Sequence, residues 1–254
     1  MQLTICKDSN SAALRLADVL EEAVLNKPDL VMGLATGRTS MGAYRELVRR
    51  HQRDLRLTFR HVTTFNTDEF VGVSPWSPTS NRTAMNIAFF HHIDIAMENT
   101  YVMRGDVADH QAECRAYEHL LSARGGLDVV VLGLGYNGHI GFNEPGSGAK
   151  SRTRVVEFTE STLAALSDGE RFKNLHETPQ SALTLGLADI LQAKHVLLIA
   201  TGIGKAEAVQ KLFESRPGPS FPASLLLDHP HLSVILDNFS AERVHNLPEC
   251  VRYE

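Results

Sequence analysis

Four short segments of this 254-residue chain bring together residue types suited to chemistry on a small anionic molecule. The run Gly133-Leu134-Gly135-Tyr136-Asn137-Gly138-His139-Ile140-Gly141-Phe142-Asn143-Glu144-Pro145 is the most distinctive. Its glycines allow tight turns and close backbone approach to a ligand. Asn137, His139 and Glu144 place an amide, an imidazole and a carboxylate in one loop, a set able to move protons. Phe65-Asn66-Thr67-Asp68-Glu69-Phe70 puts two adjacent carboxylates where an apolar run ends. A solvated turn with Asp68 capping the next helix would explain them. So would a general base, Asp68, whose neighbours raise its pKa towards the working pH.

The other two segments suit an anion. Leu34-Ala35-Thr36-Gly37-Arg38-Thr39-Ser40 carries an apolar run into a turn of glycine and hydroxyl residues that opens a helix. Free N–H groups, hydroxyls and the positive end of the helix dipole would meet there. An ordinary capped helix start has the same composition, and the Gly-Lys-Ser/Thr ending of a Walker loop is missing. In Ile199-Ala200-Thr201-Gly202-Ile203-Gly204-Lys205, a lysine at the start of a helix opposes the dipole unless an anion lies between them. The Gly-x-Gly spacing of the histidine loop lacks the first-strand context of a dinucleotide site. His91-His92 and Asp228-His229-Pro230-His231 lack metal-ligand spacing and read as surface or packing histidines.

The elements that must position these loops follow from the periodicity. Apolar, β-branched runs predict strands at Leu3–Cys6, Leu30–Ala35, His61–Phe65, Tyr101–Met103, Leu127–Leu134, Arg154–Phe158, Val196–Ala200 and Leu232–Leu236. Amphipathic stretches predict helices at about Ser9–Leu25, Met41–Arg50, Thr83–His91, His110–Ser122, Ser181–Leu191 and Lys205–Phe213, with a short C-terminal helix from about Ser240. Strands separated by helices require crossovers, hence an open, mainly parallel α/β sheet with helices on both faces. Neither repeat nor linker interrupts the pattern, and residues 1–254 read as a single domain. In such sheets ligands bind beyond the carboxyl ends of the strands, where all four segments fall.

Composition narrows the choice of partner. With 25 Lys+Arg against 30 Asp+Glu the formal charge is −5, and no long basic run offers a track for nucleic acid. Cys6, Cys114 and Cys250 are odd in number and far apart, which suggests neither a disulfide framework nor a zinc site. No apolar stretch approaches the ~18 residues of a spanning helix, and the N-terminus lacks a signal-peptide pattern. A cytoplasmic protein without membrane or nucleic-acid partners is the expectation. No coiled coil marks its oligomeric state.

Taken in order, these segments resemble the glucosamine-6-phosphate deaminase/isomerase family. The likeness also runs through Ser151-Arg152-Thr153-Arg154 and Ala182-Leu183-Thr184-Leu185-Gly186. It implies a Rossmann-like sheet and conversion of an amino-hexose 6-phosphate plus water into a ketose 6-phosphate plus ammonia, which would make the chain a hydrolase of amino-sugar metabolism. By similarity, Asp68 would carry the C2 proton of the opened sugar to C1. His139, oriented by Glu144, would assist ring opening. The Thr36, Gly37, Arg38 and Thr39 segment, Arg171 and Lys205 would hold the phosphate. The resemblance implies no metal and no organic cofactor.

Three positions depart from the family pattern. Asn137 stands where an aspartate is usual; an amide can orient His139 by hydrogen bonding but brings no charge. Such a site would open the ring more slowly or take another sugar, since some family members described as galactosamine-6-phosphate isomerases share Asn-Gly-His. Arg38 replaces a glycine, adding a phosphate contact or narrowing the pocket. Val156 replaces a lysine that helps allosteric members bind their activator. Glucosamine and galactosamine 6-phosphate both remain open as substrates. A sugar-phosphate lactonase of the same superfamily and a non-catalytic sugar-phosphate-binding regulator are the competing functions.

Overall fold

Residues 1–54, 56–167, 171–244 and 251–253 are described by a computed structural model. Its main sheet has eight strands, all parallel. From edge to edge they are Val251–Tyr253 (β11), Gln2–Cys6 (β1), Leu232–Asp237 (β10), His195–Ala200 (β9), Val129–Gly133 (β6), Val31–Leu34 (β2), Thr63–Asn66 (β3) and Thr100–Tyr101 (β5). The apolar run in β6 has no polar face because both faces are covered. Val130 and Leu132 point into one hydrophobic cluster, Val129 and Val131 into the other. Helices His110–Ala123 (α4) and Ala206–Glu214 (α7) cover the first face. Helices Ser9–Asn26 (α1), Arg38–His51 (α2) and Asn81–Ala88 (α3) cover the second. The expected parallel α/β sheet with helices on both faces is therefore present.

Local chemistry sets the element ends. Asp8 caps α1 by accepting the Ser11 N–H at 2.8 Å. Ala12, Leu16, Leu20 and Val24 of α1 follow one another down a single buried face. The second helix starts at Arg38, three residues earlier than the apolar pattern predicts, because Ser40 Oγ accepts the Gly37 N–H at 2.9 Å and so organises the first turn.

Beyond the carboxyl ends lies a second, antiparallel sheet that the sequence pattern does not anticipate. Its strands run in the order Asp68–Phe70 (β4), Ser181–Thr184 (β8), Arg154–Glu157 (β7). The predicted helix over Ser181–Leu191 is corrected accordingly. Its first half is β8, and only Leu187–Ile190 (α6) is helical, after Gly186. Short apolar runs do not distinguish strand from helix by periodicity alone, and the pairing of Asp68 with Thr184 decides for strand. The predicted strand at Arg154 forms, but in this small sheet and not the main one. Helix Glu160–Leu166 (α5) was not anticipated. Around Ser240 the chain makes turns instead of the expected helix; the later part of that prediction, with Cys250, falls outside the described residues.

Phe70, Phe142, Phe158, Phe172 and Ala182 bury one side of the small sheet. Strand alternation on β4 sends Asp68 and Glu69 to opposite faces, which gives the adjacent carboxylates different tasks. Glu69 is 1% exposed, and its four hydrogen bonds make it a scaffold. Oε1 accepts from the N–H groups of Phe70 and Asn81, and Oε2 from Ser80 Oγ and the Arg82 N–H. Together with Ser80 it anchors the start of α3. Glu69→Ala takes the acceptor from two buried N–H groups, those of Phe70 and Asn81, and from the Ser80 hydroxyl, and should destabilise the fold by about 3 kcal/mol. A denaturant midpoint within error of wild type would contradict this role.

Candidate active site

The loops singled out in the sequence follow β9, β6, β2 and β3, which are consecutive neighbours in the middle of the main sheet. Parallel strands put all four carboxyl ends on one edge, so segments as far apart as Thr39 and Thr201, 162 residues, become adjacent. Contacts link them pairwise. Thr36 Oγ1 reaches Asn81 Oδ1 at 2.6 Å, and Asn81 Nδ2 reaches Asp68 Oδ1 at 2.7 Å. Thr39 and Thr201 share a 2.5 Å hydroxyl contact between the first and fourth loops. Lys205 Nζ lies 3.6 Å from the Tyr136 ring centroid, joining the fourth loop to the third.

Asp68 opens β4 and is 7% exposed. Burial pushes its carboxyl above the ordinary aspartate range; the Thr67 hydroxyl, the Arg171 charge and the Asn81 amide pull the other way, and the charge of Glu69 adds to the rise. The solvated-turn alternative is thus replaced by a desolvated carboxylate with two donors on it, Thr67 Oγ1 and Asn81 Nδ2, each at 2.7 Å. The histidine loop comes close to the same carboxylate: a Cβ on Gly141, whose φ is +56°, would stand 3.7 Å from Asp68 Oδ2.

The imidazole of His139 lies against the backbone of Gly135, where a Cβ would come within 2.4–2.5 Å of the ring. On its other side Nδ1 faces Thr162 Oγ1 at 3.3 Å and Glu144 Oε2 at 3.7 Å, the latter an ion-pair distance and longer than a hydrogen bond. Burial raises the Glu144 pKa, but His139, the Thr162 hydroxyl and the Asn137 amide outweigh it and hold it down at about 2. Glu144 Oε1 is buried without a hydrogen-bond partner, so the carboxylate keeps acceptor capacity.

The expected contact between Asn137 and the imidazole is corrected. Asn137 Oδ1 accepts from the backbone N–H of His139 at 3.2 Å, while Nδ2 donates to Glu144 Oε2 at 2.6 Å. The amide therefore acts on the carboxylate, where its N–H groups supply donors that an ionised aspartate lacks.

At the other end of the site, Thr36, Gly37 and Thr39 are half-buried and Arg38 is exposed at the first position of α2. The first N–H groups of a helix have no partner within it and point outwards along its axis. Lys205 is half-buried; desolvation first, and then the nearby charge of Arg38, lower its pKa to about 8. Two cations pressed together in this way favour an anion between them. Asp237 holds the lysine turn by accepting the Gly202 N–H on both carboxylate oxygens at 3.0 Å. Arg171 donates through Nε to the Thr79 carbonyl at 2.9 Å and through Nη2 to Asn81 Oδ1 at 2.6 Å, with its guanidinium over the Phe70 ring. The structure thus joins Asp68, Arg171 and Thr36 through Asn81, joins His139, Glu144 and Asn137 in a second group, and brings Arg38 near Lys205.

Sequence reasoning missed Asn81, Thr162, Asp237 and Tyr136. Thr162 sits on the unanticipated α5, and Asn81 preceded the helix start predicted at Thr83. The motif residues Arg152 and Asn143 have structural partners: Arg152 pairs with Glu118 at 2.8 Å, and Asn143 Nδ2 donates to the Leu185 carbonyl at 2.8 Å. His91 and His92 are exposed, and His229 is buried and donates through Nε2 to the Ala193 carbonyl at 2.9 Å. Among the described residues, no cluster of His, Cys, Asp and Glu is arranged to hold a metal ion, and no helix is long and apolar enough to cross a membrane.

Residues 8–235 match the family described as glucosamine-6-phosphate isomerases/6-phosphogluconolactonase. The chain belongs to this family. It is 42% identical to the glucosamine-6-phosphate deaminase of Bacillus velezensis, over 95% of this chain and 99% of that one. It is also 42% identical to glucosamine-6-phosphate deaminase 1 of Bacillus subtilis, over 95% and 98%. A solved structure of a monomeric glucosamine-6-phosphate deaminase superposes with a TM-score of 0.92 at 41% identity, covering 96% of this chain and all of that one (100%). A 6-phosphogluconolactonase from Trypanosoma brucei superposes with a TM-score of 0.75 at 21% identity over 96% and 98%, a likeness of fold alone. The expected assignment as a hydrolase is corrected by these names: the relatives are deaminases, a description that does not extend to hydrolase.

The Gly135–His139 contact provides a direct test of the site. Gly135→Ala needs no unusual backbone but drives a methyl into the imidazole, and should cut kcat/KM by roughly 100-fold with little change in melting temperature. Unchanged activity in the folded variant would remove His139 from the active arrangement.

Proposed function

We propose that this protein deaminates and isomerises glucosamine 6-phosphate to a ketose 6-phosphate and ammonia. One observation carries the reading: a buried, desolvated carboxylate, Asp68, is tied through one amide to Thr36 and Arg171. A base and an anion cradle held at fixed separation suit a substrate whose reacting carbon and phosphate lie at opposite ends of a hexose. The deaminase relatives at 42% identity support the gluco configuration over the galacto alternative.

The chemistry follows from the residues. His139, with Glu144 behind it, moves a proton between the ring oxygen and the C1 hydroxyl, and the pyranose opens to the aldehyde. Asp68 then removes the C2 proton; its electron pair forms the C1–C2 double bond, the carbonyl pair moves to O1, and O1 takes a proton from the substrate's own ammonium group, giving an enol-amine. The same carboxyl returns the proton to C1, one carbon away, which leaves a ketimine at C2. Water adds to the ketimine carbon and ammonia leaves. A raised pKa suits Asp68 to this work, because it must both accept and release a proton. Thr36, Gly37, Arg38 and Thr39, with Arg171 and Lys205, are assigned to the phosphate. Lactone hydrolysis has no need of a base at Asp68; the family description covers lactonases too, but the relatives at 42% identity are deaminases and the lactonase structure is alike in fold alone.

The protein should release ammonia from glucosamine 6-phosphate in a coupled assay; none from folded protein rejects the reaction. Asp68→Asn should lower kcat by at least about 100-fold while inorganic phosphate still binds nearly as in wild type. A variant that stays active rejects the base assignment.

The lysine makes a separate prediction for pH. The dianion needs Lys205 charged, and the charge is present below a pKa of about 8 and lost above it. KM should therefore rise as the pH climbs past that value, with kcat much less affected. Lys205→Met should raise KM at neutral pH and abolish the alkaline rise. A KM that is flat with pH in wild type would contradict a phosphate contact by Lys205.

A further inference from the structure

Asn81 is the first residue of α3, and its side chain is completely buried (0% exposed). It makes four hydrogen bonds, as many as an amide side chain can use. Nδ2 donates to Asp68 Oδ1 and to the Asp68 carbonyl, both at 2.7 Å. Oδ1 accepts from Thr36 Oγ1 and from Arg171 Nη2, both at 2.6 Å. The partners fix the direction of the amide. Turned over, it would face two acceptors with its oxygen and the guanidinium with its NH2 group. Its backbone is fixed independently, because Glu69 Oε1 accepts the Asn81 N–H at 3.0 Å.

We propose that Asn81 is a positioning residue that couples the base to the phosphate-holding groups. It is buried and touches no substrate, so it acts through its neighbours. One end orients the Asp68 carboxylate and favours its ionised form; the other gathers Thr36 and Arg171 on a single oxygen. A phosphate that draws either group towards itself changes the polarisation of the same amide that serves Asp68. Binding at one end of the sugar is thereby felt by the base at the other. This rests on the reading of Asp68 as base and of Thr36 and Arg171 as phosphate-holding groups. The charged and titratable groups facing Asp68 are Arg171, Glu69, Tyr44 and Tyr117. None of these replaces the lost donor when Asn81 is truncated. Arg171 and Thr36 lose their common anchor in the same change.

Two variants separate the two ends. Asn81→Ala removes both: kcat/KM should fall by roughly 10- to 100-fold, its acid limb should move to higher pH, and inorganic phosphate should bind more weakly. Asn81→Asp keeps an oxygen for Thr36 and Arg171 but sets a carboxylate against Asp68. Its phosphate affinity should hold while the acid limb moves up further. If Asn81→Ala does not fold, Asn81→Asp carries the test alone. The Asp68 carboxyl titration, followed by 13C NMR with and without inorganic phosphate, needs no turnover; phosphate should shift it in wild type and not in Asn81→Ala. A titration that phosphate does not move in wild type, or an acid limb unmoved in the folded variants, overturns the coupling. A titration that moves as expected in a protein that releases no ammonia overturns the proposed reaction and leaves the coupling standing.

Discussion

The constraint on which the site depends is the cost of taking a carboxylate out of water. A buried aspartate is tolerated only if donors replace its hydration, and here the donors are Thr67 Oγ1 and Asn81 Nδ2. Supplying them requires β4 to lie antiparallel on β8 and α3 to begin at Asn81. The second requirement is met by Glu69, whose own buried carboxylate is satisfied by the first turn of that helix. Two adjacent acidic residues thus form one device. One carboxylate is spent entirely on structure, which leaves the other with a strained solvation balance and a raised pKa.

Sheet topology supplies the rest of the geometry. Because β9, β6, β2 and β3 are neighbours and parallel, their exits form a single row, and the loops touch without any long-range linker. The small antiparallel sheet then roofs one end of the row with aromatic side chains. It keeps Phe142 and Phe158 packed beside the histidine loop, with ring centroids 4.6 Å apart. Loops carry the reactive groups, but each is fastened by buried polar contacts, such as Asp237 on the lysine turn and Asn143 on the Glu144 loop. Side chains on loops gain the precision of strands in this way.

What could be read from the sequence divides along physical lines. The strands of the main sheet except the edge strand β11, and most of the helices, were legible because burial on both faces leaves long apolar runs in β6 and β9, and amphipathic spacing marks α1, α4 and α7. The candidate residues were legible as types in loops: Asp68, His139, Glu144 and Lys205 all lie where strands were predicted to end. Of the small sheet only β7 was legible as a strand; its place was not, and β4 and β8 are three and four residues long with non-local partners. Asn81 was hidden for a related reason. An asparagine near a helix start has an ordinary local explanation as a cap, and only the fold brings Asp68, Thr36 and Arg171 around it.

The substitution at position 137 shows how the fold alters the meaning of a sequence difference. From sequence, an amide beside the histidine loses a charge that could steady an imidazolium. In the folded chain the amide instead grips Glu144, and Glu144 carries the charge towards the imidazole. An ionised aspartate at the same place would set two carboxylates 2.6 Å apart at their oxygens if nothing moved, the separation now spanned by an N–H donor. Like charges at that range raise one another's pKa. Asn137 therefore lets Glu144 remain an anion at a pKa of about 2. The negative charge behind His139 is concentrated on one residue, by a route that the sequence alone does not display.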